Sequence, residues 1–257
     1  MHQQYLDSVN NGGAASIIRL DDVAQLEQPA AIGAAGRAAL ALWQARRGEV
    51  LTVADAAGNW YRARIDSIGD SGAVAIPFAP LSAPESPLRL GVFQALPHKE
   101  RFELVLQKLT EIGVTDIIPF TCTHSTTVEQ RDSGQKKSHR WPDVLLRAAK
   151  QCRRGVIPRL YPAITFEQVV ESLACWEAKV LLAEKDTYWT LAQGLGNCAV
   201  ASAAIVVGPE GGFAADEITA AQNCGAVPVT LGERILRTET AAIVAAALTQ
   251  HLVGDYA

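Results

Sequence analysis

The chain has 257 residues, 49% of them hydrophobic and 19% charged, with a formal net charge of −4. A core of useful size can be buried, which excludes global disorder, and no apolar run approaches the roughly 20 residues that a bilayer-spanning helix needs. The start, Met1-His2-Gln3-Gln4, lacks the basic-then-apolar pattern of a secretory signal, so a cytoplasmic protein is expected.

Residues 1–15 show no apolar periodicity and are expected to be loose. Ile17 to Leu20 reads as a short strand and Ala34 to Ala45 as a helix. Glu49 to Val53 and Trp60 to Ile65 flank Ala56-Ala57-Gly58-Asn59, a hairpin pattern, and Ala73 to Phe78 adds a further strand. A small β-rich domain is therefore expected over residues 1–82, closed by a linker marked by Pro80, Pro84 and Pro87.

From residue 88 to 257 the rhythm changes to alternating strands and helices, the pattern of an α/β domain with a parallel sheet. Strands are expected at Leu88 to Phe93, Asp116 to Phe120, Lys179 to Ala183, Ala203 to Val207 and Val227 to Leu231. Helices are expected at Glu100 to Ile112, His139 to Cys152, Thr165 to Leu173, Ala215 to Cys224 and Thr238 to Leu252. Cys122, Cys152, Cys175, Cys198 and Cys224 are odd in number and widely spaced, which points to reduced thiols and to no zinc site. Charge is unevenly spread. Arg131 to Arg159 holds nine Lys or Arg against two Asp, so this segment carries +7 and the remainder −11. A basic segment in an acidic chain is either a phosphate-contacting face or a solvated helix.

Two segments carry chemistry. Gly208-Pro209-Glu210-Gly211-Gly212 follows a buried strand, where glycines let the backbone approach a ligand and where open α/β sheets bind ligands. It is neither a GxGxxG fingerprint nor a P-loop, which counts against a dinucleotide and against ATP hydrolysis. Leu231-Gly232-Glu233-Arg234-Ile235-Leu236-Arg237-Thr238-Glu239-Thr240-Ala241 also joins a strand end to a helix. Thr238 suits the cap and Glu239 the first turn, whereas Arg237 opposes the helix dipole and suits a ligand contact instead.

The ordered pair of motifs resembles the bacterial 16S ribosomal RNA uracil-N3 methyltransferases of the SPOUT superfamily. Leu106-Gln107-Lys108-Leu109-Thr110-Glu111-Ile112-Gly113-Val114 and Gln151-Cys152-Arg153-Arg154 with Pro158 resemble upstream blocks of the same family. The resemblance implies a knotted (trefoil) parallel-sheet methyltransferase domain behind a small PUA-like RNA-binding domain. It implies that S-adenosylmethionine is the cofactor, with no metal, that 16S RNA of the small ribosomal subunit is the substrate, and that the protein is a homodimer. By position, Leu182 and Glu184 would border the cofactor from a first loop and Gly208, Pro209, Glu210, Gly211 and Gly212 from a second. Leu231, Gly232, Ile235, Leu236 and Thr240 would do so from a third. Arg237 would stabilise the uridine anion as a catalytic residue. Glu239 would accept its proton, orient Arg237 or cap the helix. Arg19, Lys108, Gln151, Arg153 and Arg154 would hold RNA. Gln44, His98, His124 and Lys150 depart from the family pattern on the RNA side, which leaves open a different RNA target or a non-catalytic RNA-binding protein with the same fold.

Overall fold

The protein is described by a computed structural model over residues 8–69, 72–97, 101–132, 138–183, 189–196 and 200–256. It divides into two compact units, Asn10–Glu85 with Leu145–Arg159, and Met1–Val9 with Ser86–Val144 and Leu160–Ala257. The first unit's leading segment ends at Glu85. The expected second domain, 88–257, is not one contiguous body, because residues 145–159 group with the first unit.

The first unit is built on β1 (Ile18–Arg19), β2 (Ala30–Ile32), α1 (Ala34–Leu42), β3 (Val50–Ala54), β4 (Trp60–Gly69) and β5 (Gly72–Leu81). The strands form one sheet in the order β1-β3-β4-β5-β2, with β1 parallel to β3 and the other pairs antiparallel. Alternation places Ala63 and Ile65 of β4 in the core with Ile18, Leu51 and Trp43, whose indole nitrogen donates to Ser16 O at 2.6 Å. β5 runs through Pro77 and Pro80, further than expected. β2 pairs only with Ala73 to Ala75, so these prolines interrupt no ladder on that side.

Residues 8–15 are not loose. Asn10 Nδ2 donates to Pro158 O at 2.7 Å and Gly13 N to Ile157 O at 2.7 Å. A Cβ on Gly12 would lie 2.4 Å from Pro158 O, so only glycine permits this approach. Periodicity could not show it, because backbone groups and one amide side chain make the attachment.

The second unit contains β6 (Arg89–Ala95), α2 (Arg101–Glu111), β7 (Asp116–Thr121), α3 (Val128–Asp132), the first residues of α4 (Trp141–Gln151), and β8 (Arg159–Leu160) from Leu160 on. There follow β9 (Ile164–Thr165), α5 (Phe166–Ser172), β10 (Ala178–Leu182), α6 (Leu191–Leu195), β11 (Ser202–Val207), α7 (Ala215–Asn223), β12 (Val227–Val229) and α8 (Thr238–Val253). The seven-stranded sheet runs β12-β10-β11-β6-β7-β8, with β9 beside β7. The pairs among β12, β10, β11, β6 and β7 are all parallel. All six residues of β11 are buried, as expected of a strand covered on both faces. Phe93, Phe120, Phe166, Trp176 and Val206 anchor the core. Among the described residues no helix is long and apolar enough to cross a membrane.

Candidate active site

Three neighbouring strands, β12, β10 and β11, end at the same edge of the sheet, and their exits surround a cavity of about 720 Å³. Its wall takes Leu182 and Ala183 from the exit of β10, Val207 to Phe213 from that of β11, and Pro228 to Thr238 from β12 and its exit. Beyond the carboxyl ends of parallel strands no further ladder consumes the backbone groups, so they are free to meet a ligand.

Local chemistry fixes each exit. Ala183 N donates to Val229 O at 3.0 Å, holding the first against the last. Gly212 N closes a turn on Pro209 O at 3.0 Å, and Gly212 has φ +70°. Gly232 has φ +110°, with Thr230 Oγ1 3.1 Å from its N–H. An L side chain is strained at either angle, so these two glycines are demanded by backbone shape. Phe213 ends the loop by stacking on Phe120, centroids 6.3 Å apart, and leaning on Phe166 at 5.7 Å.

Thr238 occupies the first turn of α8 and does not cap it. Its hydroxyl donates to Gly208 O at 2.6 Å and accepts from the buried Gln94 Nε2 at 2.9 Å. The relay Gln94–Thr238–Gly208 ties β6, the helix and the second loop together.

Of the sequence-derived cofactor residues, Leu182, Gly208, Pro209, Glu210, Gly211, Gly212, Leu231, Gly232, Ile235 and Leu236 line the cavity. Glu184 lies outside the described residues, as do His98 and Lys99. Thr240 is a correction: it is exposed and absent from the wall, which continues instead through Thr238 and Ala241. Glu239 is a second correction. A helix turns about 100° per residue, so Thr238 and Ala241 share the cavity face while Glu239 and Thr240 turn away. The Glu239 carboxylate is buried, with Oε1 3.7 Å from Arg101 Nε and Oε2 without a hydrogen-bond partner among the described residues. Arg237 is exposed and lines the cavity, and its guanidinium makes no hydrogen bond or ion pair among the described residues.

The residues assigned to RNA separate. Arg19, Gln151 and Arg153 are exposed in the first unit. Lys108 is paired with Glu111 at 2.8 Å. Arg154 is corrected, because it is buried, with NH2 2.6 Å from Glu85 Oε2, while Glu85 Oε1 accepts from Gly155 N at 2.8 Å. That carboxylate organises the 153–156 turn, and the guanidinium is spent inside the unit. Lys150 is paired with Glu49 at 2.7 Å. Arg62, absent from the sequence reading, stands near Arg153. It donates to Thr52 Oγ1 at 2.6 Å, and that hydroxyl donates to Arg153 O at 2.8 Å. Burial and the neighbouring Arg153 lower the Arg62 pKa. Beside the second loop, His124 Nδ1 lies 3.2 Å from Gly212 O, and burial, then the charge of Glu217, pushes the nearby Cys122 thiol up to about 11.

The RNA methyltransferase domain model matches residues 84–250. Ribosomal RNA small subunit methyltransferase E of Mycobacterium bovis is 31% identical over 245 residues, covering 94% of this chain and 88% of its own length. A solved structure of Neisseria gonorrhoeae ribosomal RNA small subunit methyltransferase E bound to S-adenosyl methionine superimposes with a TM-score of 0.66 at 27% identity, over 93% of this chain and 98% of that one. A Legionella pneumophila protein described as a methyltransferase, with cofactor SAM bound, gives a TM-score of 0.66 at 30% identity, over 93% of this chain and 99% of that one.

Proposed function

The chain belongs to the RNA methyltransferase domain family, and on that premise we propose that it methylates 16S ribosomal RNA of the small subunit at N3 of a uridine, with S-adenosylmethionine as donor. The observation that carries the reading is the cavity at the ends of β12, β10 and β11, lined by both motifs at once. Its volume suits a ligand of that size, and its wall joins the glycine turns and apolar side chains to a few polar ones, Glu210 and Arg237 among them, as a site for a nucleoside-bearing donor does.

When bound, the cofactor supplies a methyl group already activated on sulfur. The chain's task is to align the uridine with it and to steady the charge that appears as N3 loses its proton. Arg237 is placed for that second task, an exposed cation on the cavity wall with no ion pair among the described residues. The target base leaves its stack to reach the mouth. The β-rich first unit acts as the PUA-like RNA module, with exposed Arg19, Gln151 and Arg153 on its surface. The second domain is trefoil-knotted with the donor held within the knot loops, the working form is a homodimer, and the site of action is the cytoplasm, where ribosomes are assembled.

Mass spectrometry of 16S RNA from a strain lacking the gene tests the reading. N3-methyluridine should disappear, and return with the wild-type gene but not with Arg237→Ala. Its persistence in the deletion strain contradicts the assignment.

A further inference from the structure

Arg101, in the first turn of α2, belongs to no motif read from the sequence, yet it meets two acidic residues of the site. Its NH1 lies 3.4 Å from Glu210 Oε1, on the cavity wall, and its Nε lies 3.7 Å from Glu239 Oε1, in the first turn of α8. A cation at a helix N-terminus opposes the helix dipole, so the position is not explained by α2 itself. The dipole of α8 favours a carboxylate at Glu239, but this one is buried, and a buried charge calls for a partner; Arg101 is its ion-pair partner among the described residues.

The contacts on the second loop thus fall into two braces. At its base, Thr238 Oγ1 donates to Gly208 O at 2.6 Å. At its tip, Arg101 joins Glu210 to Glu239 across longer distances and is itself partly open to solvent. Consecutive residues of α8, Thr238 and Glu239, therefore control loop positions 208 and 210. The first brace is short and sheltered, so it sets the shape of the wall. The second is looser, so it sets how firmly the Glu210 turn closes over the cavity.

We propose that Arg101 is a positioning residue of the methyl-donor site, a bridging cation that latches the second loop to α8 through Glu210 and Glu239. It touches neither donor nor base and acts through the loop. The inference rests on reading the cavity as the S-adenosylmethionine site. A Lys at this position keeps the charge but loses the two-pronged reach of a guanidinium.

The test is calorimetric titration of S-adenosylmethionine into the full chain, with steady-state kinetics alongside. Partly exposed ion pairs contribute about 1 kcal/mol or less each, so Arg101→Gln should raise the donor Kd and KM by roughly five- to tenfold. The RNA KM should stay near wild type, and Arg101→Lys should fall between the two. Glu210 is exposed, so Glu210→Gln supplies a second arm, its fold checked by thermal melt. Combined with Arg101→Gln it should add little to the single effect, because each change removes the same latch. An unchanged donor Kd in Arg101→Gln, single effects that multiply in the double variant, or a rise confined to the RNA KM would each overturn the proposal. A wild-type chain that binds no S-adenosylmethionine would instead overturn the reading of the cavity, and the latch with it.

Discussion

The loop Gly208 to Phe213 and the segment Leu145 to Arg159 differ in what chiefly holds them in place. Backbone shape holds the loop: a turn closed on Pro209, a positive φ at Gly212, one hydroxyl at Gly208 and an aromatic stack at Phe213. Charge holds the segment: Lys150 on Glu49 and Arg154 on Glu85, with Arg153 left exposed near Arg62. A ligand site made of backbone keeps its groups available. A basic segment spends part of its charge on its own fold, so net charge overstates what it can offer a polyanion.

The widest separation between the two regions should come from Arg154. Arg154→Met fills the space but leaves the Glu85 carboxylate without its cation, and breaking a buried pair costs on the order of 3–5 kcal/mol. Thermal unfolding should show a large loss of stability, and S-adenosylmethionine binding below the melt should be intact. A stable variant with weakened RNA binding would return Arg154 to the RNA face. Arg237→Ala should do the reverse. Its melt should be unchanged while kcat falls on the order of 10²–10³-fold with little change in donor affinity, as for loss of one group that stabilises transition-state charge. Equal losses in kcat and in donor affinity would make Arg237 a cofactor residue.

A smaller effect is expected at Thr238. Replacement by Val removes the donor to Gly208 O and leaves a carbonyl unpaired, a loss of about 1–2 kcal/mol, read as a weaker donor Kd. Thr238→Ser should restore it, and failure of the serine to do so would assign the residue to packing. The smallest effect is at Arg153. Arg153→Gln should lower the slope of log K for RNA against log salt by about one phosphate contact and leave the donor Kd alone. An unchanged slope would remove Arg153 from the RNA surface.

The parallel sheet, most helix positions and the cavity-lining Gly208 to Gly212, Leu231, Gly232, Ile235 and Leu236 are legible in the chain, because buried strands and glycine turns are local signals. What escaped was non-local. The sequence leaves Glu239 between proton acceptor, partner of Arg237 and helix cap, because it cannot show that one further step around the helix turns it toward α2. The motif block and the basic run both assign Arg154 to RNA, and neither shows its partner. Its partner, Glu85, lies in a stretch that otherwise looked like a linker. Arg101 carried no signal, since nothing local distinguishes a bridging cation from a solvated one. The attachment of residues 8–16 was hidden for the same reason: Asn10 and Gly12 meet Pro158 only in the fold.

The central claim is that a methyl donor binds at the exits of β12, β10 and β11. Gly232 tests it most directly, because φ +110° admits glycine and strains any branched residue. Calorimetric titration of S-adenosylmethionine should show saturable binding to the wild-type chain and none to a folded Gly232→Val variant. No heat with the wild type, or equal binding by the variant, would contradict it.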